Sequence, residues 1–99
     1  MKYDGMVILE FYMSWCLPCN KLKPILEEIE EEYKKKSAKI LFARIEVDTL
    51  PTMSRKYKID AVPALLSFEN GKESGSRIVG LKDKHVIVNR VEKALKKLE

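Results

Sequence analysis

Ninety-nine residues, 45% hydrophobic and 34% charged, are enough for one small domain with a single core, read here as spanning 1–99. The net charge of +4 comes from lysines interleaved with glutamates, as in EEIEEEYKKK and VEKALKKLE, so no basic, aromatic-studded face for nucleic acid is predicted. No apolar run reaches membrane-spanning length, and MKYDGMVILEFY, interrupted by Asp4 and Glu10, offers no signal peptide; the expected compartment is the cytoplasm, where thiols stay reduced.

In chain order, MVILEFY at 6–12 is a short apolar run suited to a strand buried on both faces. A helix follows from about Cys16, because Leu22, Ile25, Leu26, Ile29 and Tyr33 recur at intervals of three and four; Pro24 inside it is expected to bend it. KILFARIEV at 39–47 alternates between a Leu41, Ala43, Ile45, Val47 face and an Ile40, Phe42, Arg44, Glu46 face, which predicts a second strand. A loop over 48–58 with a short helix through MSRKYK comes next. AVPALLSF at 61–68 is a third strand entered through Pro63, and Asn70-Gly71 signals a hairpin whose loop extends toward Gly75. SRIVG at 76–80 then pairs antiparallel with the third strand. The last segment, 83–98, is a helix that Asp83 can cap, with Ile87, Val88, Val91, Ala94, Leu95 and Leu98 on one face. The order is β-α-β-(short α)-β-β-α, and the helical crossover makes the first two strands parallel.

The chemistry concentrates in WCLPC at 15–19, which holds the only tryptophan and the only two cysteines. Unpaired amides and aligned peptide dipoles at a helix N-terminus stabilise an anion, so a Cys16 thiolate is favoured and Cys16 is the expected nucleophile. Cys19, one turn deeper, can attack a mixed disulfide formed on Cys16 and release the reduced partner. Pro18 fits a first helical turn because no bond is lost with its missing N–H, and Lys21 and Lys23 add positive charge. Two alternatives carry less weight. Buried cysteines acting as small hydrophobes would not need helix-start Cys-x-x-Cys spacing. Zinc would want four ligands, and besides the pair the chain offers one distant histidine, His85, expected to face solvent. No metal or other cofactor is called for, since the cysteines themselves carry the electrons.

The stretch VILEFYMSWCLPCNKLKPILEEI, followed by VD at 47–48, KYKIDAVPALLSF and ENGK, resembles the thioredoxin family from about residue 5 to the C-terminus. The resemblance implies a minimal form of that fold, a four-stranded mixed sheet with helices on both faces, because the family's first strand and helix have no counterpart here. It implies a thiol–disulfide oxidoreductase that reduces protein disulfides and is recharged by an external reductase or small thiol. It further implies a cis peptide before Pro63, packed against the cysteine pair, with the Val62 backbone left free for an extended client. Trp15, Ala61, Val62, Val79 and Gly80 match the family's apolar client-binding patch, although Trp15 also suits a core aromatic. Glu10 stands where the family usually has a buried aspartate. Buried, it would hold its proton more tightly and suit uptake of the Cys19 proton; Arg44, where the family often has lysine, would oppose that shift, or the two form an ordinary ion pair. Leu17 replaces a customary glycine. The short chain leaves a second reading, a glutathione-dependent, glutaredoxin-like reductase; a third, a binding module without catalysis, has no need of both thiols, so Cys16, Pro18, Cys19 and Pro63 together weigh against it. It also predicts that strand 39–47 is a sheet edge, open to a second copy of the chain or covered by residues 1–4.

Overall fold

A computed structural model describes residues 5–97 of the chain. Strand β1 (Met6–Tyr12) leads into α1 (Leu17–Lys35), then β2 (Ile40–Glu46), α2 (Pro51–Lys56), β3 (Ala64–Glu69), two short strands β4 (Lys72–Glu73) and β5 (Ile78–Val79), and α3 (Lys84–Lys97). The sheet order is β2-β1-β3-β4, with β5 also paired to β3. β1 runs parallel to β2 and antiparallel to β3.

β1 is the centre of the molecule because its residues are apolar on both faces. Met6 and Ile8 pack with Leu22, Leu26 and Ile29 of α1 and with Ile87, Val91 and Ala94 of α3. Val7, Leu9 and Phe11 face the other way, toward Leu66 and Phe68 of β3, Met53 of α2, and Tyr57 and Ile59 just beyond it. The Tyr57 ring stands edge-on to Phe68 at 5.7 Å and tilted to Phe11 at 5.9 Å. Helices α1 and α3 therefore cover one face and α2 the other, the arrangement the pattern predicts. Between α1 and α3, Tyr33 donates to Glu92 at 2.5 Å, and Lys84 pairs with Glu28 at 2.8 Å and with Glu32.

Several boundaries differ from expectation. The short helix starts at Pro51, earlier than MSRKYK, because proline suits the first helical turn. α1, by contrast, keeps its expected extent, with Pro24 inside it and its end at Lys35. β3 begins at Ala64, after a cis Val62–Pro63 bond and a bend over 61–63. The fourth strand is divided. Asn70 and Gly71 both take left-handed φ, +51° and +84°, so the hairpin closes tightly and Lys72–Glu73 returns along β3 at once. The chain then leaves the sheet and rejoins it only at Ile78–Val79. Arg90 of α3 holds the excursion, donating to the Ser74 carbonyl at 2.5 Å and the Ser76 carbonyl at 3.3 Å. Gly75 sits between them at φ +68°, where a Cβ would lie 1.7 Å from Arg90 Nη2. Gly75→Ala is expected to destabilise the fold by about 1–2 kcal/mol, read from urea unfolding, because it adds left-handed strain and displaces the guanidinium. Leu98, expected on the last helical face, and the 1–4 segment lie outside the described residues.

Candidate active site

Three connections meet at one end of the sheet. Phe11 of β1 pairs with Ala64 of β3, and Ala64 pairs with Val79 of β5. The turn after β1, the bend before β3 and the exit from β5 therefore share that end, where α1 also begins. Cys16 is the N-cap of α1, with extended backbone, and Pro18 lies in the first turn. The Cys16 Sγ accepts the Cys19 N–H at 3.1 Å, so the sulfur occupies the place an N-cap oxygen usually takes. The first turn holds no acidic residue to oppose negative charge on it. Cys16 and Cys19 are joined in a disulfide, with Cα atoms 5.1 Å apart. Their exposure differs: Cys19 is buried at 1%, while Cys16 is partly open to solvent.

Exposed apolar residues stand at the same end of the sheet as the sulfurs. Trp15 is 93% exposed, which removes it from the core. Val79 and Ala61 are exposed, Val62 is half-buried and Pro63 is buried. Gly80 donates its N–H to the Pro63 carbonyl at 2.8 Å, which ties the two loops together. It has φ +89°, and among the described residues nothing lies within 4 Å of where a Cβ would stand, which leaves its outer side open to a client. Among the described residues, neither backbone group of Val62 enters a backbone hydrogen bond. Leu17, 66% exposed between the two cysteines, and Leu81, 42% exposed beyond Gly80, extend this apolar rim. Neither was expected there. For Leu17 the signal was available, since an N1 residue flanked by a capping cysteine and Pro18 has no helix turn to pack against.

Glu10 lies in the middle strand, on the α1 side, opposite Arg44 of β2 and Leu65 of β3. It is 1% exposed. Arg44 Nε donates to Glu10 Oε1 at 2.8 Å, while Oε2 is buried and has no partner among the described residues. Burial raises the Glu10 pKa above the ordinary glutamate value, and the Arg44 hydrogen bond and charge lower it in part. The guanidinium also rests 3.9 Å over the Tyr12 ring, a contact the sequence alone did not suggest. A cavity of about 140 Å³ opens beside this pair between α1 and β2, lined by Glu10, Lys23, Leu26, Glu27, Phe42 and Arg44. His85 is exposed on α3, away from these groups.

The thioredoxin family model matches residues 1–93. The chain belongs to the thioredoxin family. It is 34% identical over 87 residues to the thioredoxin of Chlamydia caviae, covering 88% of this chain and 80% of that one. It is 36% identical over 77 residues to thioredoxin-1 of Saccharomyces cerevisiae, covering 78% and 70% respectively. Among solved structures, a mutant thioredoxin from Halobacterium salinarum NRC-1 superposes with a TM-score of 0.84 at 28% identity, over 95% of this chain and 78% of that one. Membership and the cysteine pair make the protein a thiol–disulfide oxidoreductase acting on protein disulfides. No helix among the described residues is long and apolar enough to cross a membrane.

Proposed function

We propose that the Cys16–Cys19 pair reduces client disulfides by a two-step exchange in which each cysteine has one role. In the dithiol form the Cys16 thiolate attacks one sulfur of the client disulfide. The client S–S bond breaks, a Cys16–client disulfide forms, and the departing client thiolate takes a proton. Cys19 then gives its proton to the Glu10 carboxylate and attacks the Cys16 sulfur. The mixed disulfide breaks, the second client sulfur leaves as a thiolate that takes a proton, and two electrons have passed to the client. The product on the enzyme is the Cys16–Cys19 disulfide, and an external reductase or small thiol restores the dithiol. The observation that carries this reading is the asymmetry of the pair. The exposed sulfur caps the helix and accepts an amide, and the second sulfur is buried one turn deeper.

Glu10 suits the acceptor role because one oxygen is fixed by Arg44 and the other has no partner among the described residues. Pro18 shapes the first turn, and Pro63 holds the Ala61–Val62 segment open for a client in extended conformation, whose backbone would pair with Val62. Trp15, Val79 and the outer side of Gly80 would flank that segment. The physiological setting of this reading is the cytoplasm, within one domain spanning 1–99. A second copy of the chain is a further partner, at the outer edge of β2.

The direct test is insulin reduction by dithiothreitol. The protein is expected to accelerate the appearance of turbidity catalytically; a rate equal to dithiothreitol alone contradicts the reading. Trp15→Ala is expected to raise KM for a protein disulfide several-fold and to leave the unfolding free energy within about 0.5 kcal/mol of wild type, since so exposed a side chain packs on little. Steady-state kinetics with insulin and a urea titration check the two halves.

A further inference from the structure

β2 is an outer strand of the sheet among the described residues, and its free backbone groups follow a pattern. The Met6 N–H donates to the Lys39 carbonyl, and the Val47 N–H donates to the Tyr12 carbonyl. With the parallel register Met6↔Ile40 through Tyr12↔Glu46, the odd-numbered residues of this segment turn their amides and carbonyls toward β1. The even-numbered residues turn theirs outward. Two of those outward groups are used locally. The Ile40 N–H bonds the Ala38 carbonyl, and the Glu46 carbonyl accepts from Thr49 and Leu50. Among the described residues, the groups left along the edge are the Ile40 carbonyl, both groups of Phe42, both groups of Arg44 and the Glu46 N–H.

This set is its own complement. Turned by a two-fold axis through Ala43, the Phe42 N–H meets an Arg44 carbonyl and the Phe42 carbonyl meets an Arg44 N–H. The Ile40 carbonyl meets a Glu46 N–H. The two positions where a bond would be missing, the Ile40 N–H and the Glu46 carbonyl, fall opposite each other, and both are already satisfied within the chain. The same axis places Leu41, 45% exposed, beside Ile45 of the other copy, and brings two small Ala43 side chains together on the axis. An axis perpendicular to the sheet keeps the helix-covered faces on their own sides, so the sheets continue into one another.

We propose that two copies of this chain associate by antiparallel pairing of β2 with β2, in the register centred on Ala43, to make one continuous sheet across the dimer. Any edge strand can pair antiparallel with its own copy; what selects this register is that the two outward groups already satisfied within the chain, the Ile40 N–H and the Glu46 carbonyl, fall opposite each other in it, so no other outward group loses a partner. The pairing uses only the backbone edge of β2 and does not rest on the redox reading.

The test has two parts. In sedimentation velocity, the oxidised wild-type chain is expected to pass from monomer to dimer over a concentration series; a monomer at every concentration overturns the proposal. For the register, Ala43→Cys and Leu41→Cys are each made in a Cys16→Ser/Cys19→Ser background and exposed to mild oxidant. Directly opposed residues of a pair not joined by hydrogen bonds have Cα atoms about 4.5 Å apart, within disulfide reach, whereas two copies of position 41 would be roughly 14 Å apart. Ala43→Cys is expected to form a linked dimer at least about tenfold faster than Leu41→Cys. Equal rates, or a faster Leu41→Cys, overturn the register. A full-length monomer that dimerises only after removal of residues 1–4 makes that segment the occupant of the edge and overturns the proposal as well.

Discussion

Cys16→Ser is expected to abolish catalysis of insulin reduction, to the rate of dithiothreitol alone, and Cys19→Ser is expected to fail differently. With Cys16 replaced, no sulfur remains at the helix cap, and Cys19 is too deeply buried to meet a client disulfide. With Cys19 replaced, the Cys16 thiolate still attacks, but the mixed disulfide has no internal thiol to break it. Client-linked protein therefore accumulates, visible as a covalent adduct on a non-reducing gel that dithiothreitol removes. The double variant does neither. If the Cys16→Ser protein forms the adducts instead, the attacking and resolving roles are reversed. Serine in place of Cys16 can still cap α1, so these losses are chemical and not the consequence of unfolding.

Glu10→Leu is expected to give a more stable and much slower protein. A carboxylate buried with one oxygen unpartnered costs desolvation that a single hydrogen bond from a half-exposed arginine does not fully offset. Replacing it with a hydrophobic side chain of similar size is expected to raise unfolding free energy by about 1–3 kcal/mol near neutral pH, with Arg44 released toward solvent. The gain depends on pH, and its sign is fixed. Glu10 holds its proton more tightly folded than unfolded. Its contribution is therefore most favourable below the ordinary glutamate range. As pH rises through that range toward the higher folded value, the unfolded chain ionises first and the contribution is lost. Wild type should lose stability relative to Glu10→Leu across that window, and the two curves should run parallel above it. Urea titrations of the oxidised proteins from acid to neutral pH measure this. Over the same series, single-turnover breakdown of the mixed disulfide is expected to slow by about a hundredfold in the variant, since Cys19 loses its proton acceptor. Unchanged turnover with raised stability would make Glu10 and Arg44 a structural ion pair only.

The legible parts of this molecule are those set by local rules. β1 announces itself because seven consecutive residues are nearly all apolar, and α1 because its buried residues keep helical spacing for four turns. The cysteine pair is legible because its chemistry depends on sequence distance along one helix. What the sequence hides depends on contacts between distant residues. The split of the fourth strand into Lys72–Glu73 and Ile78–Val79 follows from Arg90, on another element, gripping the chain around Gly75. The stacking of Arg44 on Tyr12 needs two strands placed side by side. The 39–47 alternation shows a strand, and only the pairing with β1 tells which of its amides face outward. Leu17, by contrast, is legible twice over: as a substitution for glycine, and as an exposed first helical residue beside a capping Cys16.

The arrangement of α1 makes one demand on solution behaviour, that Cys16 rather than Cys19 be the sulfur that ionises first. Alkylation of the fully reduced protein with iodoacetamide across a pH series, with each modified cysteine identified by peptide mass, measures it directly. The expected result is modification of Cys16 at a pH where an ordinary free thiol stays protonated, with Cys19 protected until far more alkaline conditions. Equal reactivity at the two sites, or reaction of Cys16 only where free thiols react, would contradict an anion held by the amides of the first helical turn.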